Sequence, residues 1–145
     1  MMGFNLAARS ATIYDSGTEC FSGTTLEGIG QAVIGVLQHP DETKNRFLGV
    51  MSIKTNQTEL LAAFEEATGQ KWEVTRDSTA RLLESGRAKH RDGKPGWILE
   101  LVVTQLFQEG KGRGLVADGR EKTDSELLGV RSESAVEIAK KALGM

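Results

Sequence analysis

Residues 28–35 read GIGQAVIG, and their first two glycines stand at the separation that opens a dinucleotide-binding loop. Whether this stretch cradles a phosphate or runs through a helix decides the fold. A pyrophosphate loop needs a strand before it, glycine for the turn and for backbone approach, a small residue for helix packing, and an acid about 20 residues on. Here Gly28 and Gly30 follow Thr24 and Glu27, which are spaced as a capping box. Ile29, Ala32, Val33, Val36 and Leu37 recur at the spacing of one helical face. The third position holds Val33, and a Phe-Ser-Gly-Thr loop precedes the pair. The stretch therefore reads as helix, with glycines that ease close packing.

Working outward, residues 12–14 form a β-prone run that ends in the turn signature Asp15-Ser16-Gly17. Downstream, the helix stops before His39-Pro40, because a residue preceding proline avoids helical geometry. Residues 46–53, RFLGVMSI, carry apolar side chains on both alternating faces, the pattern of a central strand covered on both sides. Asn56 with Glu59 caps another helix, which carries Leu60, Leu61 and Phe64 on one face and stops at Gly69. Trp72 and Val74 suggest a short strand. A helix over 78–90, marked by Ala80, Leu83 and Arg87, is broken at Lys94-Pro95-Gly96. Trp97, Ile98, Leu101, Val102 and Leu106 mark a helix over 97–108, followed by a loop at Gly110, Gly112 and Gly114. That loop lacks the strand and the Lys-Ser/Thr ending of a phosphate loop. A last helix follows Ser134, with Ala135, Val136, Ala139 and Leu143 apolar and Lys140 and Lys141 near its negative end.

The 145 residues suit one domain, 1–145, with enough length for a real core. A formal charge of −2 sets up no field toward nucleic acid or an anionic membrane. The single cysteine, Cys20, cannot form an internal disulfide, and no leader pattern is visible, so a reducing, cytoplasmic setting is expected. The run WILELVV is interrupted by Glu100 and too short to span a bilayer.

The segments TIYDSG (12–17), TTLEGIGQAVIGVLQHP (24–40), NRFLGVMSIKTNQTELLAAFEEATGQKW (45–72) and ELLGV (126–130), with the terminal amphipathic helix, together resemble the NmrA-like proteins, close to the isoflavone reductase-like oxidoreductases. The resemblance implies an α/β fold leaning to α+β: the carboxyl-terminal part of a Rossmann-type architecture, with few strands flanked by about five helices. In that family NADPH is held by an amino-terminal half carrying a glycine-rich loop and a catalytic lysine. Neither has a counterpart here, so no cofactor is expected on this chain alone. An acidic residue that the family often carries is replaced by Gly28. The chain is expected to be either a short stand-alone protein or part of a longer reading frame.

Candidate chemistry is sparse. The Tyr-x-x-x-Lys pair of short-chain dehydrogenases is missing, since Tyr14 is followed four residues on by Thr18. Cys20 or Ser22 with His39 and Asp41 would make a nucleophilic set only if folding brought them together. His39 and His90 read most simply as surface residues, and no Cys/His spacing for zinc occurs. Residues 87–122 hold eight lysines and arginines against five acids, an excess of three, but the charges are not interleaved with aromatics as a platform for bases would need, so nucleic acid is not an expected partner. Phe4, Phe21, Trp97 and Phe107 lie beside loops or on the less regular half; the resemblance implies that they face a small-molecule substrate, and ordinary core is the alternative. Three functions stay open: the substrate-binding half of an oxidoreductase, a non-catalytic module pairing with itself or a partner chain through an exposed sheet edge at 46–53, and a cofactor-free isomerase or cyclase.

Overall fold

The computed structural model describes residues 2–145 and shows a mixed α/β chain with five short strands and six α-helices among those residues. Strands β1 (Phe4–Asn5), β2 (Ser10–Tyr14) and β5 (Glu73–Asp77) form one sheet in the order β1-β2-β5. β1 runs antiparallel to β2 with Phe4 opposite Ala11, and β2 runs parallel to β5 with Ser10 opposite Glu73 and Tyr14 opposite Asp77. Between β2 and β5 the chain makes a second, antiparallel pair, β3 (Phe21–Gly23) with β4 (Ile53–Thr55). Around these lie α1 (Leu26–Gln38), α2 (Pro40–Thr43), α3 (Gln57–Thr68), α4 (Thr79–Arg91), α5 (Trp97–Phe107) and α6 (Ala135–Ala142).

The main core follows from β2's alternation. Ala11 and Ile13 point to one face and are buried with Phe4, Ala63, Phe64, Trp72 and Ala139, which closes α3 and α6 onto the sheet. Three of these rings touch: Phe4 lies 5.3 Å from Phe64, and Phe64 stacks on Trp72 at 5.0 Å. Each such side chain contributes about 1.5–3 kcal/mol on leaving water. A smaller cluster of Phe21, Val103 and Phe107 joins β3 to α5, and Tyr14 stacks on Phe107 with centroids 6.1 Å apart. Between the two sits Gln57, fully buried. Its amide donates to the carbonyls of Met2 and Thr12 and its carbonyl accepts from the Tyr14 amide, so each polar atom is paired inside the core.

Caps set the helix bounds. Asn56 accepts from the Glu59 amide, Ser78 from Arg81, and Ser134 with Glu137 forms a full capping box. α3 ends at Gly69, whose φ of 63° glycine adopts without a Cβ penalty. At α1 the expectation is off by one residue. Thr25, not Thr24, is the cap; Thr24 donates its hydroxyl to the Val50 carbonyl, and Glu27 pairs with Lys141 instead of closing a box.

The larger correction concerns residues 46–53, where a central strand was expected. Only Ile53 joins β4, and 46–52 is irregular. A strand needs a continuous backbone ladder, whereas this segment's amides and carbonyls find a mixture of side chains and isolated backbone partners, such as the Gly23 carbonyl for the Ser52 amide. The Gly49 amide donates to Asp124 and the Met51 amide to Ser125; the Met51 carbonyl accepts from Arg120. Phe47, read as strand core, is entirely exposed. The exposed edge expected at 46–53 is therefore absent, and β5, paired only with β2, forms a free sheet edge. The strand anticipated around Trp72 and Val74 begins at Glu73, after Trp72 has turned into the core.

Candidate functional site

The glycine pair lies within α1, as its helical spacing requires. Gly28 gives its amide hydrogen to the Thr25 hydroxyl oxygen at 3.1 Å, and a Cβ there would collide with the Ser52 hydroxyl. Gly35 lets α1 rest directly on the backbone of Leu128. Gly30 faces open space, so the close-packing role falls to Gly28 and Gly35. At the second glycine cluster, the Glu19 carboxylate accepts from the amides of Gly110 at 2.7 Å and Gly112 at 2.6 Å. The backbone donors that a pyrophosphate would need are engaged at both places, so neither stretch fits a dinucleotide.

The four aromatic candidates do not converge. Phe4 belongs to the main core. Phe21 and Phe107 meet edge to face at 5.6 Å in the smaller cluster. Trp97 sits at the start of α5, half-buried, with its ring 4.4 Å from His90 on α4. What does join Phe4 to Phe21 is an apolar groove. One part, of about 200 Å³, is lined by Phe21, Ile53, Thr24, Thr25 and Thr55; the other, of about 340 Å³, by Phe4, Phe64 and Leu6. Met2, Leu60 of α3 and Ile138 of α6 line both parts. Phe107 supports Phe21 from behind.

The groove's polar rim is already committed. Thr25 donates to the Glu133 carboxylate at 2.6 Å, Thr24 to the Val50 carbonyl at 3.1 Å, and Thr55 to the Glu59 carboxylate at 2.8 Å. Burial pushes the Glu133 carboxyl up, but its hydrogen bonds to Lys141, at 2.7 Å, and to Thr25 outweigh that and hold it below the usual carboxylate range. The Tyr14 phenol is pushed up by burial first and then by the nearby carboxylates of Asp77 and Glu100. It is thus kept neutral, unlike a tyrosine primed to give up its proton.

The imagined nucleophilic set does not assemble. Ser22 donates to the Gly114 carbonyl and accepts from the Val116 amide, the Cys20 thiol points to the Thr18 carbonyl, and His39 lies beside Glu42 at 3.8 Å. Among the described residues no cluster of three His, Cys, Asp or Glu could hold a metal. No described helix is long and apolar enough to cross a membrane. Among the described residues the groove's lining suits an apolar molecule and includes no carboxylate, histidine, cysteine or lysine. Leu60 was legible as part of a helical face, whereas nothing in the pattern marks Met2 or Ile138 as groove walls.

No family model matches the chain. Over 143 residues it is 57% identical to the oxidoreductase poxI of Penicillium oxalicum, a match that spans 99% of this chain and 46% of that protein. The oxidoreductase aprR of Aspergillus flavus is 37% identical over 73 residues, half of this chain and 25% of its own length. The chain thus spans less than half the length of the curated relatives it matches. Among solved structures, an NADPH-dependent quinone oxidoreductase from Escherichia coli superposes with a TM-score of 0.62 at 17% identity, covering 94% of this chain and 47% of that one. A nucleoside-diphosphate-sugar epimerase from Staphylococcus aureus gives 0.61 at 18% identity, covering 93% and 44%, and a triphenylmethane reductase from Citrobacter gives 0.56 at 17%, covering 97% and 46%. The chain therefore has a mixed α/β fold that accounts for about half of these reductase- and epimerase-type chains, and its sequence relatives are fungal oxidoreductases.

Proposed function

We propose that these residues are the substrate-binding half of an NmrA-like oxidoreductase, and that the groove between Phe21 and Phe4 takes a small, largely apolar molecule. The nicotinamide cofactor is supplied by a part of the architecture that these residues do not include. The observation that carries this reading is the pairing of an apolar groove with glycine stretches whose amides are engaged by the chain's own side chains. The oxidoreductase relatives, matched over 46% and 25% of their lengths, support it.

Trp72 stacks on Phe64, which lines the groove, so its fluorescence is a local reporter of occupancy. Menadione, a small planar quinone, is the probe, and Trp97→Phe removes the distant indole. Saturable quenching is expected, and Leu60→Phe, which crowds the wall common to both parts of the groove without adding an indole, weakens it. Quenching that never saturates, or that is unchanged by Leu60→Phe, contradicts the groove as the site.

A further inference from the structure

The polar groups on the wall of the Phe21–Phe4 groove are of one kind. Its Phe21 part carries three hydroxyls, on Thr24, Thr25 and Thr55, and the Met2 thioether; its other lining side chains are hydrocarbon. The Phe4 part adds only hydrocarbon, from Phe4, Leu6, Phe64 and Ala142. A small-molecule site orients its ligand through a few such groups, so what these three hydroxyls can still offer decides which functional group fits.

A threonine hydroxyl has one hydrogen to give and two lone pairs to receive with. All three hydrogens go to groups that only accept: Thr24 gives to the Val50 carbonyl at 3.1 Å, Thr25 to the Glu133 carboxylate at 2.6 Å and Thr55 to the Glu59 carboxylate at 2.8 Å. Turning any of them toward a ligand would strand a carbonyl or a carboxylate, which costs more than the new bond returns. Thr25 also spends a lone pair on the Gly28 amide at 3.1 Å. The wall therefore keeps acceptor capacity, chiefly at Thr24 and Thr55, and has no side-chain hydrogen to give. A hydroxyl that donates to a carboxylate is also the stronger acceptor for it, because successive hydrogen bonds polarise one another. A ligand carbonyl or carboxylate leaving water for this wall meets no side-chain donor; a ligand hydroxyl meets ready acceptors.

We infer that the groove selects an uncharged apolar molecule bearing a hydroxyl, an alcohol or a phenol, over the ketone, quinone or carboxylate built on the same carbon frame. Thr24 and Thr55 receive the hydroxyl's hydrogen at the Phe21 end, and the hydrocarbon body lies along Leu60 toward Phe4. The inference rests on the groove being the ligand site, as proposed above, and adds the functional group that the site recognises.

The test uses three ligands on one decalin frame: trans-2-decalol, trans-2-decalone and decalin-2-carboxylate. Each is titrated against menadione bound to the Trp97→Phe protein and read as recovery of Trp72 fluorescence. The alcohol is expected to bind at least about fivefold tighter than the ketone, the factor one net hydrogen bond supplies, and the carboxylate more weakly than either. Thr24→Val combined with Thr55→Val keeps the branched side chains and removes the acceptors, and should bring the alcohol-to-ketone ratio below about twofold. The inference is overturned if the ketone or the carboxylate binds as tightly as the alcohol, or if the preference survives the double replacement. If the double variant does not fold, the ratio in the Trp97→Phe protein decides alone. Equal displacement by all three ligands overturns the hydroxyl preference and leaves the groove as the site, whereas menadione quenching that never saturates removes the site and the preference with it.

Discussion

The body formed by β2, α3 and α6 and the module formed by α1 with residues 44–52 and 124–130 solve packing in opposite ways. In the body, apolar side chains point inward: Ile13, Phe64, Trp72 and Ala139 meet across the sheet. In the module, backbone meets backbone at Gly35 and Leu128, irregular segments are pinned by polar side chains, and Leu26, Val33, Leu37 and Phe47 face out although Met51, Leu128 and Val130 are buried. Arg120 donates to the carbonyls of Met51 and Val130, and Asp124 pairs with Arg46 at 2.8 Å while accepting from the Gly49 amide. A region held by glycine contacts and hydrogen bonds can keep its shape while leaving its apolar surface for something else. The body turns its large apolar groups inward, whereas the module leaves Leu26, Val33, Leu37 and Phe47 largely in solvent.

The contrast breaks if the body tolerates truncation. Phe64→Ala removes the ring that touches both Phe4 and Trp72 and is expected to cost about 3–5 kcal/mol in denaturant unfolding. A loss below about 1 kcal/mol would mean that the body is not packed as described.

Gly35→Ala sharpens the other side. A Cβ at this position runs into the Leu128 backbone, which cannot swing away as a side chain could. The expected loss is about 1–3 kcal/mol, although the same exchange stabilises an exposed helix interior. Gly30→Ala, with open space around it, is the matched control and should be neutral or slightly stabilising.

The α6 capping box gives a pH test. The Ser134 amide, the Arg131 guanidinium and the Ser134 hydroxyl hold the Glu137 carboxyl at about 2, against an ordinary 4.5. A depressed carboxyl contributes stability that is complete above the unfolded value and lost as pH falls through the folded one. Unfolding measured between pH 4.5 and 2 should therefore show an acid limb that Glu137→Gln flattens. An unchanged limb would assign it to other carboxylates.

The smallest effect is expected on the outward face of α1, where Leu37 is largely in solvent. Leu37→Ser exposes no new cavity and should change the stability of the isolated chain by less than about 0.5 kcal/mol.

Much of the body was legible in the sequence because local chemistry governs it. Asn56, Ser78 and Ser134 marked helix starts, Gly69 marked a stop, and residues 12–14 gave β2. The module was not legible for a physical reason. RFLGVMSI has the composition of a buried strand, and its departure from one depends on Arg120, Asp124 and Ser125, about 70 positions away, whose side chains take over its backbone partners. The shift of the α1 cap by one residue has a similar origin: Thr24 is drawn to Val50, and Thr25 is held by Glu133. For the site, Phe4 and Phe21 fall on the groove, Phe107 stands behind it and Trp97 lies elsewhere, because proximity to loops says which residues can reach a surface and not which surface they reach.

The central claim is the proposal that the Phe21–Phe4 groove takes an apolar molecule while the described residues offer no cradle for a dinucleotide. Calorimetric titration of NADPH into the isolated chain tests it most directly. No saturable heat is expected at concentrations up to about 100 μM, a limit corresponding to a binding free energy weaker than about −5.5 kcal/mol. A single-site isotherm with sub-micromolar affinity would contradict it.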